Sequence, residues 1–393
     1  MTPTKYTISS SQIEDDKIII EFDNVGKSKF HSIWLRDNCH CQKCYYDSTK
    51  QRLVNSCLIN LDIKPKSISS EKDQLTVFWI DDNEDIHKSI YKSDWLALHA
   101  YNPVIVKEKL PPSINQELWQ VKDIENNLPK IDFNQVMEDD NVRKDWIFKI
   151  WKHGFCLIDN VPVNLKDTKR LCERLDYIRP THYGGFWDFT SDLSKNDTAY
   201  TNFDISSHTD GTYWSDTPGL QLFHLLYHDG TGGTTSLIDA FKCAEIMSQK
   251  HPESFKFLTK LPIPAHSAGE ETVLIQPDVP QPIFKLDDQG KLIQVRWNLS
   301  DRSTMNNWED PNDVPKFYEA IKQWYKIITD KENEFFYQLK PGQVLIFDNW
   351  RCFHSRTEFT GKRTMCGAYF NRDDFISMVK LMDLGRDVLL ESL

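Results

Sequence analysis

The sequence predicts a mainly β protein with flanking helices, divided into a small N-terminal β-rich domain over 1–105, a linker over 106–130 and a larger β-rich domain over 131–393. Two observations carry this. Runs of β-branched and aromatic residues separated by polar, turn-forming segments fill the N-terminal stretch and return at the C-terminal end. Between them, Pro103, Pro111, Pro112 and Pro129 interrupt any regular element. A chain of 393 residues with 39% hydrophobic content can bury one large core and a smaller one.

In the N-terminal domain, Lys17–Phe22, 30–35 and 75–80 read as strands. Beyond the linker, Val142, Trp146, Ile147, Ile150 and Trp151 recur at helical spacing, with Gly154 as a stop. A buried strand over 155–158 follows, then an amphipathic helix over 165–177 with Leu171, Leu175 and Ile178 along its edge. The apolar run 220–227 is typical of a core strand, which makes His224 a packed residue and not a ligand. Gly230-Thr231-Gly232-Gly233 and the strand 234–238 are expected to complete a hairpin, with Asp239 capping a helix to about Lys250. A long helix over 313–330 precedes strands at 343–348, 352–354 and 365–370.

Charge and composition exclude several classes. The net charge of -11 at pH 7, without a long block of like charge, argues against a nucleic-acid partner. No apolar run approaches a membrane span. The N-terminus has neither an apolar core region nor an Arg-rich stretch, and Glu14, Asp15 and Asp16 come early, so a cytoplasmic location is expected, with mitochondria as the alternative. Nine cysteines, an odd number, fit a reducing compartment, where clustered Cys more often bind metal than form disulfides.

One such cluster is Cys39-His40-Cys41-Gln42-Lys43-Cys44. Three thiolates this close leave room for one more ligand on a tetrahedral structural zinc. His87, after the strand and the acidic turn, is the candidate, because His40 lies between two ligands and would need a strained loop to join them.

The chemistry centres on His208-Thr209-Asp210. Residues two apart in a strand point the same way, so an imidazole and a carboxylate can meet one metal ion. Two histidines and one carboxylate on one face of an octahedron form the usual non-heme Fe(II) oxygenase site. Alone, the motif is weak, since 12 His among 58 acidic residues produce such triplets by chance, and His251-Pro252-Glu253 is a second one. His354, after a strand and the Asp348-Asn349-Trp350 turn, completes the triad, and Arg363 follows at the start of the next strand. An iron that uses 2-oxoglutarate needs a cation for the far carboxylate, and the planar Arg fork suits it.

The segments Tyr183-Gly184-Gly185-Phe186-Trp187, 197–201, His208-Thr209-Asp210, Gly232-Gly233-Thr234-Thr235, 347–351 and 363–367 together resemble the carnitine-biosynthesis dioxygenases, which act on trimethyllysine or γ-butyrobetaine. Trp34-Leu35-Arg36-Asp37-Asn38-Cys39 and Asp94-Trp95-Leu96 extend the resemblance to nearly the whole chain. It implies a double-stranded β-helix, or jelly roll, with Fe(II) on His208, Asp210 and His354. Arg363 would hold 2-oxoglutarate with help from the Thr235 hydroxyl. Zinc on Cys39, Cys41, Cys44 and His87, ascorbate as reductant, O2 as co-reactant and a homodimer are implied in the same way.

A trimethylammonium group donates no hydrogen bonds, so aromatic faces must recognise it. The resemblance assigns this cage to Tyr183, Trp187 and Tyr200, with Tyr369 as a further wall. Trimethyllysine differs from γ-butyrobetaine in carrying an α-ammonium, and Asp197 stands where the butyrobetaine enzymes have an amide, which favours the ammonium. Asn298 is the expected partner of the substrate carboxylate. The His354-to-Arg363 spacing also resembles the trimethyllysine branch, whereas the full cysteine set resembles the butyrobetaine branch. The expected activity is hydroxylation of trimethyllysine at carbon 3, with γ-butyrobetaine hydroxylation as the alternative. The triad and Arg363 weigh against a non-catalytic reader of trimethylammonium groups, and the cage against a taurine-type hydroxylase.

Overall fold

The computed structural model describes residues 5–80, 86–106, 111–190, 201–306 and 308–393. They fall into two units, Met1–Pro111 with Leu384–Leu393, and Pro112–Asp383.

The first unit holds two three-stranded antiparallel sheets, Ile8–Glu14, Lys17–Phe22 and Gly26–His31 in one, and Pro65–Ser70, Gln74–Ile80 and Ile86–Lys92 in the other. Alternate residues Leu75, Val77 and Trp79 face a shared core with Ile18, Ile20 and Phe22, the period-2 signature of a half-buried strand. The strand expected over 30–35 is half wrong. It ends at His31, and Ser32–Asp37 is helical. Ser32 and Leu35, one turn apart, are both buried there, so a helical spacing suits the core better than the β propensity of Ile33 and Trp34.

The second unit is built on two sheets. The larger runs in the order Ile178–Arg179, Arg363–Phe370, Leu220–His228, Val344–Asp348, Phe155–Asp159 and Lys130–Asp132, with Trp187–Thr190 also paired to Arg363–Phe370. The smaller runs Ile205–His208, Cys352–Arg356, Thr235–Asp239 and Glu334–Tyr337. Along Phe155–Asp159, Cys156 and Ile158 pack with the helices Asp140–His153 and Leu165–Leu175, while Phe155 and Leu157 share a core with Leu237 and Phe335 of the smaller sheet. On that sheet, Ile238 and Phe353 instead pack with Ala240–Lys250 and Asp313–Ile328. The layers are therefore helices, sheet, sheet, helices; central strands such as Leu220–His228 and Val344–Asp348 are buried on two faces and read as apolar runs, whereas Ile205–His208 and Glu334–Tyr337 are partly exposed.

The helix boundaries follow local chemistry. Asp139 caps Asp140–His153, and Gly154 ends it at φ 78°. Asp239 accepts from the Phe241 and Lys242 amides, as its position predicts. Ile178 does not continue the helix of Leu171 and Leu175, which stops at Leu175, and sits instead in a short strand. The expected hairpin across 220–238 does not form. Leu220–His228 belongs to the larger sheet and Thr235–Asp239 to the smaller, so the glycine turn carries the chain between layers. Gly232 and Gly233 both have positive φ, and a Cβ on Gly232 would strike the Glu358 carbonyl. Within the stretch expected to be a linker, Trp119 and Ile124 are core residues of this unit. No described helix is long and apolar enough to cross a membrane.

Candidate active site

Strand Ile205–His208 pairs antiparallel with Cys352–Arg356 so that His208 lies directly opposite His354, with ring centroids 4.2 Å apart. Asp210 reaches the pair differently from the sequence expectation. The strand stops at His208, and Asp210 sits in the following turn. Asn349 fixes that turn, its Oδ1 accepting from the Asp210 amide at 2.8 Å and its Nδ2 donating to the Asp210 carbonyl at 3.0 Å. The three ligand atoms lie within 4.8 Å of one another.

The Asp210 carboxylate is divided between two tasks. Its Oδ2 accepts from the Gln221 amide and the Tyr369 hydroxyl, both at 2.6 Å. Its Oδ1 faces His208 Nε2 at 3.0 Å and His354 Nε2 at 3.8 Å. His208 Nδ1 lies 2.8 Å from the Ser206 carbonyl, to which it donates, so Nε2 is the nitrogen turned to the cluster. Burial would raise the Asp210 carboxyl, but His354, His208 and the Tyr369 hydroxyl hold it well below the usual carboxylate range. Burial pushes His354 down to about 3, helped by His208, which leaves a neutral imidazole. Burial also works to lower His208, but Asp210 outweighs it and raises that imidazole. Two imidazoles around one ionised oxygen, with the other oxygen occupied by two donors, suit a divalent cation.

Arg363 opens the strand Arg363–Phe370 and lines the same cavity as the triad. It is 5% exposed, its Nε has no hydrogen-bond partner, and no described carboxylate forms an ion pair with it. Burial, and then the charge of Arg356, push it down to about 9. A buried cation without an anion is costly, so this end of the cavity suits the carboxylate of a ligand such as 2-oxoglutarate. Thr235 lines the same cavity and lies opposite Arg356 across the strands. Arg356 was not anticipated, although it lies two residues after His354 and so on the same strand face. It also lines the cavity and donates to the carbonyls of Thr201 and Phe203 at 2.8 and 2.7 Å.

Tyr183, Trp187 and Tyr369 form aromatic wall on the same cavity. Trp187 and Tyr369 rings are 5.9 Å apart, and the Tyr183 hydroxyl lies 3.3 Å from that of Tyr213, a buried wall residue that sequence reasoning missed. Trp187 pairs with Gly367 across the strands and lies over it, since a Cβ there would come 2.5 Å from the indole. Asn298 lines the cavity too, and so does Asp301, another residue without a sequence signal of its own. Asp197 and Tyr200 lie outside the described residues.

In the first unit, Cys39, Cys41, Cys44 and His87 form a second cluster that could hold a metal, with the three sulfurs 3.4, 3.6 and 3.6 Å from His87 Nε2. His40 is turned away and stacks on Tyr45. A hydrogen bond from Cys44 pulls the Cys39 thiol well below its ordinary value against the effect of burial, while the Cys44 thiol rises. Three sulfurs and one imidazole nitrogen suggest a zinc site.

The model of the Taurine catabolism dioxygenase TauD, TfdA family matches residues 108–369, and that of the N-terminal region of γ-butyrobetaine hydroxylase-like proteins matches residues 10–97. The trimethyllysine dioxygenase of Meyerozyma guilliermondii is 62% identical over all of both chains. The chain belongs to the trimethyllysine and γ-butyrobetaine dioxygenase family. This is a family of Fe(II)/2-oxoglutarate-dependent oxygenases, and its TauD-like fold is mostly β with helices. The γ-butyrobetaine dioxygenase of Pongo abelii, also a member, is 27% identical, over 91% of this chain and 92% of that one. The solved structure of AAD-2 in complex with Mn(II) and N-oxalylglycine shares the fold, with a TM-score of 0.50 and 11% identity over 66% of this chain and 98% of that one.

Proposed function

We propose that the chain hydroxylates trimethyllysine at carbon 3, with His208, Asp210 and His354 holding Fe(II) and Arg363, aided by Thr235, holding 2-oxoglutarate. The observation that carries this reading is a single cavity lined by the triad, by a buried arginine and by aromatic faces. Iron and 2-oxoglutarate, when bound, supply the oxidising chemistry that activates O2. The protein's own residues do the placing. Gln221 and Tyr369 fix the Asp210 carboxylate, and Arg363 receives the cosubstrate's far carboxylate in a site where burial strengthens the contact. Tyr183, Trp187 and Tyr213 present π faces and apolar edges to a quaternary ammonium, and Asn298 offers its amide to the substrate carboxylate. Holding both ends of a flexible substrate aims one C–H bond at the metal.

In this reading the two sheets form a double-stranded β-helix, and the Cys39, Cys41, Cys44 and His87 cluster holds a structural zinc. The homodimer and the ascorbate requirement belong to the same proposal, to be tested by sedimentation and by leaving ascorbate out. The decisive experiment supplies Fe(II), 2-oxoglutarate and O2 with equal trimethyllysine and γ-butyrobetaine, and analyses products by mass spectrometry. Gain of one oxygen atom by trimethyllysine supports the reading. Hydroxylation of γ-butyrobetaine alone would replace it with the butyrobetaine activity, in which the reacting carbon lies nearer the charged nitrogen.

A further inference from the structure

We propose that Arg296 is a positioning residue for substrate binding: its buried guanidinium clamps the two carbonyls that flank Tyr213 and so sets that ring in the cavity wall that meets the trimethylammonium group. This rests on the function proposed above and adds to it the residue that holds one wall of the site from behind.

Tyr213 stands in a tight turn. The Trp214 amide donates to the Gly211 carbonyl at 2.9 Å, which closes the turn and leaves the Thr212 and Trp214 carbonyls to find other donors. Arg296 Nη2 donates to both, each at 2.8 Å. One nitrogen thus holds the residue before Tyr213 and the residue after it. Tyr213 is buried and lines the cavity of the triad, whereas Arg296 lines a separate, smaller cavity with Thr212 and Phe317. The Tyr213 hydroxyl lies 3.3 Å from that of Tyr183, a long contact that fixes the ring poorly, so the backbone clamp is the stronger restraint.

Arg296 is itself well anchored. It is 7% exposed, and its amide donates to the Ile283 carbonyl at 2.8 Å. At the next residue, the Trp297 amide donates to the Thr209 hydroxyl at 3.0 Å, and the Trp297 carbonyl accepts from the Thr209 amide at 2.8 Å. The pair Arg296-Trp297 is therefore bonded to both ends of the stretch 209–214. No described carboxylate forms an ion pair with Arg296; Asp216, whose charge reaches it, is exposed and bonded to Arg179 at 2.9 Å. Burial pushes the guanidinium down to about 10. The two carbonyls replace part of the solvation that this charge has lost, and a charged donor bonds them roughly twice as strongly as a neutral one would. The metal ligand Asp210 is held by other groups, Asn349 on its backbone and Gln221 and Tyr369 on its carboxylate. Loss of the clamp should therefore weaken substrate binding and spare the metal site.

The test uses the full chain, Arg296→Lys, which keeps the charge and loses the fork, and Arg296→Ala. Anaerobic calorimetry gives the Kd for Mn(II), and then for trimethyllysine with Mn(II) and 2-oxoglutarate bound; KM and kcat are measured with Fe(II), 2-oxoglutarate and O2. The expected result is a rise in the Kd and KM for trimethyllysine of roughly tenfold to a hundredfold, the size of one charge-assisted hydrogen bond, exceeding any fall in kcat, with Mn(II) affinity unchanged. Guanidinium ion at millimolar concentration should restore part of the affinity of Arg296→Ala, whereas urea, planar and uncharged, should not. Tyr213→Ala should raise the same Kd, and adding Arg296→Lys to it should change little further, because the two residues act as one unit. Additive losses in the double variant would overturn the proposal. So would equal losses of metal and substrate affinity, which would make Arg296 a general support of the fold. If Arg296→Ala does not fold, the cycle of Arg296→Lys with Tyr213→Ala decides alone. An unchanged trimethyllysine Kd in Arg296→Lys, beside normal binding by the unmodified chain, would remove this role and leave the proposed function standing. If the unmodified chain bound no trimethyllysine, both would fall.

Discussion

Replacing Tyr369 with Phe separates two roles that its position allows. The ring lines the cavity beside Trp187, while the hydroxyl donates to Asp210 Oδ2 at 2.6 Å. Tyr369→Phe keeps the ring and removes one of two donors to that oxygen, the other being Gln221 at 2.6 Å. A hydrogen bond to an ionised group contributes about 1.5–3 kcal/mol. If most of this acts by holding Asp210 in its ligating orientation, metal affinity should fall about 10- to 100-fold, as for other losses of support behind a metal ligand. Anaerobic calorimetry with Mn(II) or Fe(II) measures that fall directly, and product formation at saturating metal should be largely restored. Tyr369→Leu, which also removes the ring, should add a rise in the KM for trimethyllysine. Unchanged metal affinity in Tyr369→Phe, with loss seen only in substrate KM, would refute the carboxylate-holding role and leave Tyr369 as cavity wall alone.

Three further outcomes follow from the packing. Gly367→Ala places a methyl against the Trp187 indole and the Leu222 carbonyl, so it should cost about 1–3 kcal/mol of stability and raise substrate KM; an unaltered melting temperature and KM would contradict the close approach. His224 is fully buried, its Nδ1 2.6 Å from the Thr168 hydroxyl, and burial pushes it down to about 4. The unfolded chain binds its proton near pH 6.5 and the folded one does not, so stability should fall as pH drops from about 6.5 toward 4, by up to about 3 kcal/mol. Chemical denaturation across that range should show the slope, and His224→Gln should flatten it. Metal analysis should find one zinc per chain, lost in Cys44→Ser together with thermal stability of the N-terminal unit; full stability without zinc would argue for free thiols.

What the sequence made legible was whatever depended on local pattern. The continuous apolar run of 220–227 identified a strand buried on both faces, and Asp239 before an apolar periodic stretch marked a helix start. His208 and His354 were readable by type, but no spacing rule could say that the strands carrying them would be paired with the two residues opposite. The failed hairpin shows the same limit. A glycine-rich turn between two strands reads alike whether the strands pair or pass to different sheets, and only the competition among all strands for partners decides it. Asn349, Gln221 and Asp301 were invisible for a related reason. Each acts on a residue distant in sequence or through a cavity wall that exists only after folding.

The cavity joins two recognition problems with opposite solutions. At the proposed cosubstrate end, Arg363 and Arg356 are buried, and burial lowers both, to about 9 and about 10, which makes each a stronger partner for a carboxylate that neutralises it than an exposed arginine would be. The proposed trimethylammonium end offers no full negative charge among its described aromatic walls, only ring faces, which suits a cation that cannot donate a hydrogen bond and gains little from a single carboxylate that must itself be desolvated. In the proposed reading, a substrate binding there while 2-oxoglutarate meets the arginines would set its cation against aromatic faces and the cosubstrate's carboxylate against buried arginine. Each ligand should therefore tighten the other, through the shared wall of strand Cys352–Arg356, which carries His354 and Arg356 on one face.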